Sequence, residues 1–111
     1  MEKQSSPFLL ASQLQTQFNG ILSGIDVLSL PVKEAKLING LRREMADARL
    51  DIRDYEMSEN KDEQLENART ARKMLGSLRA NILALSEYNV FSAVDVAQIS
   101  AQIEQIIDEL K

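Results

Sequence analysis

The sequence contains no cysteine, no histidine and no tryptophan among its 111 residues. Without cysteine, the chain can form no disulfide and can use no thiol nucleophile. Without histidine, it lacks the commonest general base, the commonest metal ligand and the side chain that titrates near neutral pH. A Ser-His-Asp triad cannot form within this chain, and a zinc site would need carboxylates alone. We therefore expect a non-enzymatic protein without a cofactor or a metal.

Proline, glycine and aromatic residues are also scarce, with two prolines, four glycines and 5% aromatics. The core must therefore be aliphatic, and few positions can interrupt a helix. No apolar run approaches the ~20 residues of a membrane span, and residues 8–11 are too short for a secretion signal. The formal net charge of −4 argues against non-specific binding to nucleic acid or membranes. We expect a cytoplasmic protein with one domain over residues 1–111.

Four positions have the residue pattern of a helix start. Ser6 precedes a proline, as an N-cap before the first turn does, and Pro31 opens a second segment in the same way. A third start lies in the polar stretch 58–62. Ser92 with Asp95 three residues later is the clearest, because it is a variant of the capping box.

Between these starts, apolar residues recur at alternating steps of three and four, which predicts amphipathic helices that pack as in a coiled coil. The four seams are Ala11, Leu14, Phe18, Ile21, Ile25 and Leu28; Ile38, Leu41, Met45, Ala48, Ile52 and Tyr55; Ala68, Ala71, Leu75, Leu78, Ile82 and Leu85; and Val96, Ile99, Ile103, Ile106 and Leu110. The predicted fold is an all-α four-helix bundle, with helices near 7–29, 32–57, 63–88 and 93–110. The glycines at 20 and 24 raise the alternative that the first helix bends or stops early.

The second and third helices are predicted to form a long antiparallel hairpin. In an antiparallel pair, residues at the same height have a constant sum of residue numbers, and six seam pairs from Ile38/Leu85 to Tyr55/Ala68 share the sum 123. Large residues face small ones in pairs such as Ala48/Leu75, as interdigitation requires. This register places the turn at residues 61–62.

Four arginines flank the seam of the predicted hairpin: Arg42, Arg49, Arg72 and Arg79. The pairs Arg42/Arg79 and Arg49/Arg72 share the sum 121, which places the two arginines of each pair at about the same height. Like charges at one height need a neutralising neighbour, which leaves three interpretations. In the first, the arginines spread their stems over the core and pair with local carboxylates or with those of the fourth helix, such as Glu104 and Asp108. In the second they bind an acidic surface of a partner protein or a second subunit, and in the third they bind phosphate of RNA or DNA.

Two aromatic residues, Tyr88 and Phe91, lie in the segment between the third and fourth helices. In the first interpretation they close the end of the bundle. In the second they anchor a partner, since aromatic side chains often carry binding energy.

Acidic residues also cluster on the second helix, where carboxylates three or four residues apart could bind a divalent cation. However, Asp47 and Asp54 fall on the outward face, and a di-iron bundle would need a Glu-x-x-His motif. A metal-dependent phosphohydrolase is therefore only a third functional hypothesis.

A surplus of apolar residues lies outside the seams: Leu9, Leu10, Leu22, Val27, Leu30, Val94 and Ile107. Either they widen the core of the bundle or they form a second interface. We expect a protein–protein interaction module (an adaptor, chaperone-like or assembly subunit) that binds a partner protein or itself, as a homodimer. The alternative is an accessory nucleic-acid-binding protein that uses the four arginines.

Overall fold

The computed structural model describes residues 6–87 and 90–110, and this part of the chain contains helices and no strand. The helices are α1 (Pro7–Ser23), α2 (Val32–Glu56), α3 (Lys61–Ser86) and α4 (Ala93–Glu109), with a short 3₁₀ helix at Val27–Ser29. The predicted all-α four-helix bundle is confirmed. Within the described residues, no helix is both long enough and apolar enough to cross a membrane.

Side-chain caps begin three of the four helices. Ser6 Oγ accepts a hydrogen bond from the backbone N–H of Leu9 (3.0 Å), and Ser92 Oγ accepts one from Asp95 (3.1 Å). Both predicted caps are therefore confirmed. Asn60, within the predicted polar stretch, caps α3, whereas α2 begins after Pro31 without a side-chain cap.

The predicted first helix, 7–29, is too long, because α1 ends at Ser23. The N–H of Gly24 turns back to the carbonyl of Ile21 (3.1 Å), and the Asp26 carboxylate accepts the N–H of Leu28 (3.2 Å). This local bond of an aspartate competes with helix continuation. The helix therefore ends before Gly24, in agreement with the alternative prediction that the first helix bends or stops early at Gly20 or Gly24.

The shorter helix also corrects the end of the first seam. Leu22 is fully buried, whereas Ile21 is only partly buried, and Leu28 is 97% exposed. Leu28 follows the helix, so the period of three and four no longer determines where its side chain points.

Neighbouring helices pack in the ring order α1, α2, α3, α4, with α4 closing the ring against α1. The hairpin helices have 25 and 26 residues, whereas α1 and α4 have 17 each. At about 1.5 Å per residue, α2 and α3 are some 12 Å longer than their neighbours. The hairpin is thus the long element onto which the two shorter helices pack.

The predicted seams of α2 and α3 form the centre of the core. All six predicted positions of α3 and five of the six in α2 are buried, and Tyr55 packs partly buried against them. Glu44 accepts hydrogen bonds from Ser77 (3.0 Å) and Asn81 (2.8 Å). These two residues lie on either side of residue 79, which the predicted register places level with Glu44.

The core is broader than the seams, and it accounts for much of the apolar surplus. Leu22 belongs to it, and Leu10, Leu30 and Ile107 pack partly buried against it. Leu9 and Val94 remain exposed, at 47% and 64%. Among the described residues, no polar or charged residue is buried.

Candidate interaction surfaces

Arg49 joins α2 to α1. Its Nε donates a hydrogen bond to Ser12 Oγ (3.1 Å), and its guanidinium lies 4.9 Å from the centre of the Phe8 ring. This distance is within the range of a cation–π contact. The carboxylate of Glu56 accepts the N–H of Phe8 (2.6 Å), so α2 holds the start of α1 at two points.

Arg72 and Arg79 instead join α3 to α4. Arg72 Nη1 donates a hydrogen bond to the carbonyl of Leu110 (2.9 Å). This carbonyl lies at the C-terminal end of α4, where the negative end of the helix dipole stabilises a cation. Arg79 pairs with Glu104, as the first interpretation of the arginines predicted. Although Arg49 and Arg72 are level in the register, they contact different helices.

Arg42 is the remaining arginine of the four. It is half-buried, and no hydrogen bond or ion pair to it occurs among the described residues. The four arginines therefore do not present their guanidinium groups together, because three of them hold α1 and α4 on the hairpin.

Of the two aromatic candidates, Phe91 lies within the described residues and is buried. Phe91 is 6% exposed and stacks on Phe18, with 6.4 Å between ring centres. It thus packs in the core, as the first interpretation predicted. Tyr88 lies outside the described residues.

Three aspartates, Asp47, Asp51 and Asp54, lie along α2 outside its buried seam, interspersed with the exposed Arg43 and Arg53. Burial raises the pKa of Asp51 above its ordinary value of 3.8, with further contributions from the charges of Asp54 and Asp47. Among the described residues, no group of three or more acidic side chains is placed to hold a metal ion.

Exposed apolar side chains gather at the end of the bundle where α1 and α3 end and α2 and α4 begin. We call this surface the apolar end and define it by Leu28, Val32, Leu83 and Val94. Their exposed fractions are 97%, 71%, 46% and 64%. Met57 and Leu65 are exposed at the opposite end, but there they flank a turn that is rich in carboxylates.

A cleft of about 490 Å³ opens at the apolar end between α3 and α4. It is lined by apolar and small side chains: Leu83, Ser86, Phe91, Ala93, Val96, Ala97 and Ser100. The lining contains no charged residue, so the cleft suits an apolar side chain better than a polar metabolite.

The outer surfaces of α1 and α4 form a second unusual region, which we call the uncharged face. We define it by the exposed residues Leu9, Gln13, Thr16, Gly20 and Ser23 of α1 and Gln98, Ala101 and Gln105 of α4. None of the 17 residues of α1 is charged, although 27% of the whole chain is.

Glutamines join α1 to α4 beneath this face. Gln17 Nε2 donates to Gln98 Oε1 (3.2 Å), and Gln102 Nε2 donates to Gln17 Oε1 (2.6 Å). Gln102 Oε1 is buried and accepts no hydrogen bond within the described part of the chain. It borders a small cleft of about 50 Å³, whose lining includes Gln13 and Gln105.

Comparisons with known proteins found no match to a family model, to a curated protein or to a solved structure.

Sequence reasoning did not find the two surfaces that stand out in the structure. The period of apolar residues places Leu28 in a helix seam. Gly24 and Pro31 are the residues in the sequence that indicate an end of the first helix near this position. For the uncharged face, the available signal is that no charged residue occurs between Lys3 and Asp26.

Proposed function

We propose that this chain is a non-enzymatic protein–protein interaction module that binds a partner protein through the apolar end. The observation that carries this proposal is the almost complete exposure of Leu28, at the same end of the bundle as the exposed Val32 and Val94. Scattered apolar residues are normal on a protein surface, whereas a group of them marks a contact region.

The apolar end offers both area and shape for such binding. Full burial of one leucine or valine side chain is worth roughly 1.5–3 kcal/mol, so covering three or four of them supports a specific contact. The adjacent cleft can accept an apolar side chain of the partner, which is how anchor residues fill pockets at interfaces.

The two other functional hypotheses have less support. Three of the four arginines already have partners within the chain, which leaves fewer guanidinium groups for nucleic-acid phosphate. The carboxylates of α2 lie on an open surface, and the described residues contain no candidate metal cluster.

The proposal is tested by photo-crosslinking in the cells that make the protein. A photoreactive, apolar amino acid is placed at position 28 or 94, and a matched control carries it at the exposed position 70 on α3. We expect adducts of defined mass from positions 28 and 94 and none of that mass from position 70. The substitution Val32→Asp should reduce the adduct from position 28.

Two results contradict the proposal: the same adducts from all three positions, or no adduct from positions 28 and 94. Circular dichroism of each variant checks that the helices remain intact, so that a missing adduct is not a consequence of unfolding.

A further inference from the structure

We infer that the uncharged face of α1 and α4 binds the same face of a second copy of this chain. This inference rests on the proposed function only in treating the chain as an interaction module. It concerns a different surface from the apolar end.

The distribution of charge selects a second copy as the occupant. A two-fold symmetric contact brings each surface patch against itself, so a charge close to the axis meets its own copy. The chain carries 13 basic and 17 acidic residues, yet α1 carries none. The charged residues of α4, which are Asp95, Glu104, Asp108 and Glu109, lie outside the residues that define the face. The central part of the face can therefore meet its copy without like-charge repulsion.

The composition of the face also resembles that of known interfaces. Depletion of charged residues, rather than bulk hydrophobicity, distinguishes the centre of a protein–protein contact from the remaining surface. The exposed Leu9 supplies apolar contacts, and the small residues Ala101 and Gly20 allow the helices of two copies to approach closely.

The area of the face allows a small contact. Each helix of 17 residues is about 25 Å long, and two adjacent helices are about 20 Å wide. The projected area of the two whole helices is about 500 Å², so two copies bury at most about 1,000 Å² together. Because this upper limit equals the smallest area of specific interfaces, about 1,000 Å², we expect a weak dimer that dissociates on dilution.

A layer of glutamines lies directly beneath the face. Gln102 Oε1 is buried without a donor in the described residues, and a buried acceptor without a partner is unfavourable. The small cleft beside Gln102 is lined by Gln13 and Gln105 of the uncharged face. Because the oxygen is shielded within one copy, a donor from a second copy reaches it only when one of these two side chains turns aside.

The test measures the mass of the intact chain by light scattering over a dilution series. The matched variants are Thr16→Glu, at the centre of the uncharged face, and Thr70→Glu, on the outer surface of α3. Both threonines are exposed, and each donates its hydroxyl hydrogen bond to the carbonyl four residues earlier (3.0 and 3.1 Å). The two changes therefore place the same charge at exposed, similarly bonded threonines on two different surfaces.

We expect a dimer in the wild type and in Thr70→Glu. Thr16→Glu should weaken the dimer by roughly tenfold or more, because like charges then meet across the contact. Ala101→Glu should do the same from α4, with a residue that is still a good helix former.

A wild-type chain that is monomeric at every concentration overturns the inference and leaves the apolar end as the proposed binding surface. A dimer that withstands both Thr16→Glu and Ala101→Glu but is lost in Val32→Asp also overturns it, and assigns self-association to the apolar end. Adducts from positions 28 and 94 to a different protein are expected whichever of these results is obtained.

Discussion

At the scale of single residues, the arginines show how one residue type fills two roles in the same helix. Arg42 and Arg49 lie two turns apart on one side of α2, and both are half-buried. Arg49 has a hydrogen bond and an aromatic ring as partners on α1. In the described residues, Arg42 has no such partner, so the two positions form a natural comparison.

We predict that Arg49→Ala lowers the free energy of unfolding by about 1–2 kcal/mol more than Arg42→Ala does. The difference corresponds to one hydrogen bond and one cation–π contact, at about 1 kcal/mol each. Because both variants remove an arginine from the same helix, helix propensity and net charge cancel. Urea unfolding measures the two values, and equal losses would show that the contacts of Arg49 add nothing.

The negative charge of Asp51 lowers the free energy of unfolding. Its pKa is raised because burial disfavours the ionised form and because Asp54 and Asp47 are close. A carboxyl group with a raised pKa in the folded state costs stability above that pKa, and this cost disappears as the pH falls towards 3.8.

We therefore predict that Asp51→Asn raises the melting temperature at pH 7. At pH 3 it should have little effect, because Asp51 is then protonated in both the folded and the unfolded wild-type protein. Asp62→Asn serves as the control, because it removes the same charge from the first turn of α3, where a carboxylate is favourable. Thermal denaturation at several pH values follows both variants. A similar gain from Asp62→Asn would indicate an effect of net charge alone.

At the scale of the helices, the hairpin contains two glycines that its packing does not require. Gly40 lies within α2 and Gly76 within α3. A Cβ atom added at either position would meet nothing within 4 Å. The Asn39-Gly40 pair is a turn signal in the sequence, yet α2 continues through it because the seam on both sides is buried in the core.

We predict that Gly40→Ala and Gly76→Ala each raise the free energy of unfolding by about 0.5–1 kcal/mol, since glycine is that much less favourable than alanine inside a helix. The gains should add in the double variant, because the two helix positions are well separated and share no contact. Urea unfolding of the three variants provides the measurement. A loss of stability at either site would mean that the glycine there has a role beyond this chain's own packing.

At the scale of the whole molecule, the four helices are unequal. The hairpin is longer, and its seam has only apolar residues at the buried positions. The contact between α1 and α4 instead includes a layer of glutamines with an unsatisfied oxygen. We expect the bundle to open between α1 and α4 before the hairpin separates.

We predict that amide hydrogen exchange is slowest at residues 41–52 of α2 and 71–82 of α3, and faster throughout α1 and α4. Exchange of this kind reports local opening free energies, which are lowest where few apolar contacts must be broken. Mass spectrometry of exchanged peptides resolves the four helices. Equal protection in all of them would show that the bundle opens only as one unit.

The helical class, the hairpin and its register all follow from the order of the amino acids. They obey local rules, because the period of apolar residues sets which side of a helix is buried and because the six seam pairs share one register. The caps at Ser6 and Ser92 can also be predicted from the sequence, since capping depends only on neighbouring residues. The absence of histidine and cysteine likewise restricts the chemistry that any arrangement of this chain can perform.

The positions of the arginines and of the surplus apolar residues depend instead on how the four helices pack. Arg49 contacts α1 while Arg72 contacts α4, because each guanidinium turns to the helix packed beside it, and the register of the hairpin alone does not specify those neighbours. Leu28 is exposed because α1 stops at Gly24, so side chains beyond it leave the helical period. Leu22 lies within α1 and is buried because the core is broader than the predicted seam. The two proposed contact surfaces arise from residues distant in sequence, and only the packing of the four helices brings them together.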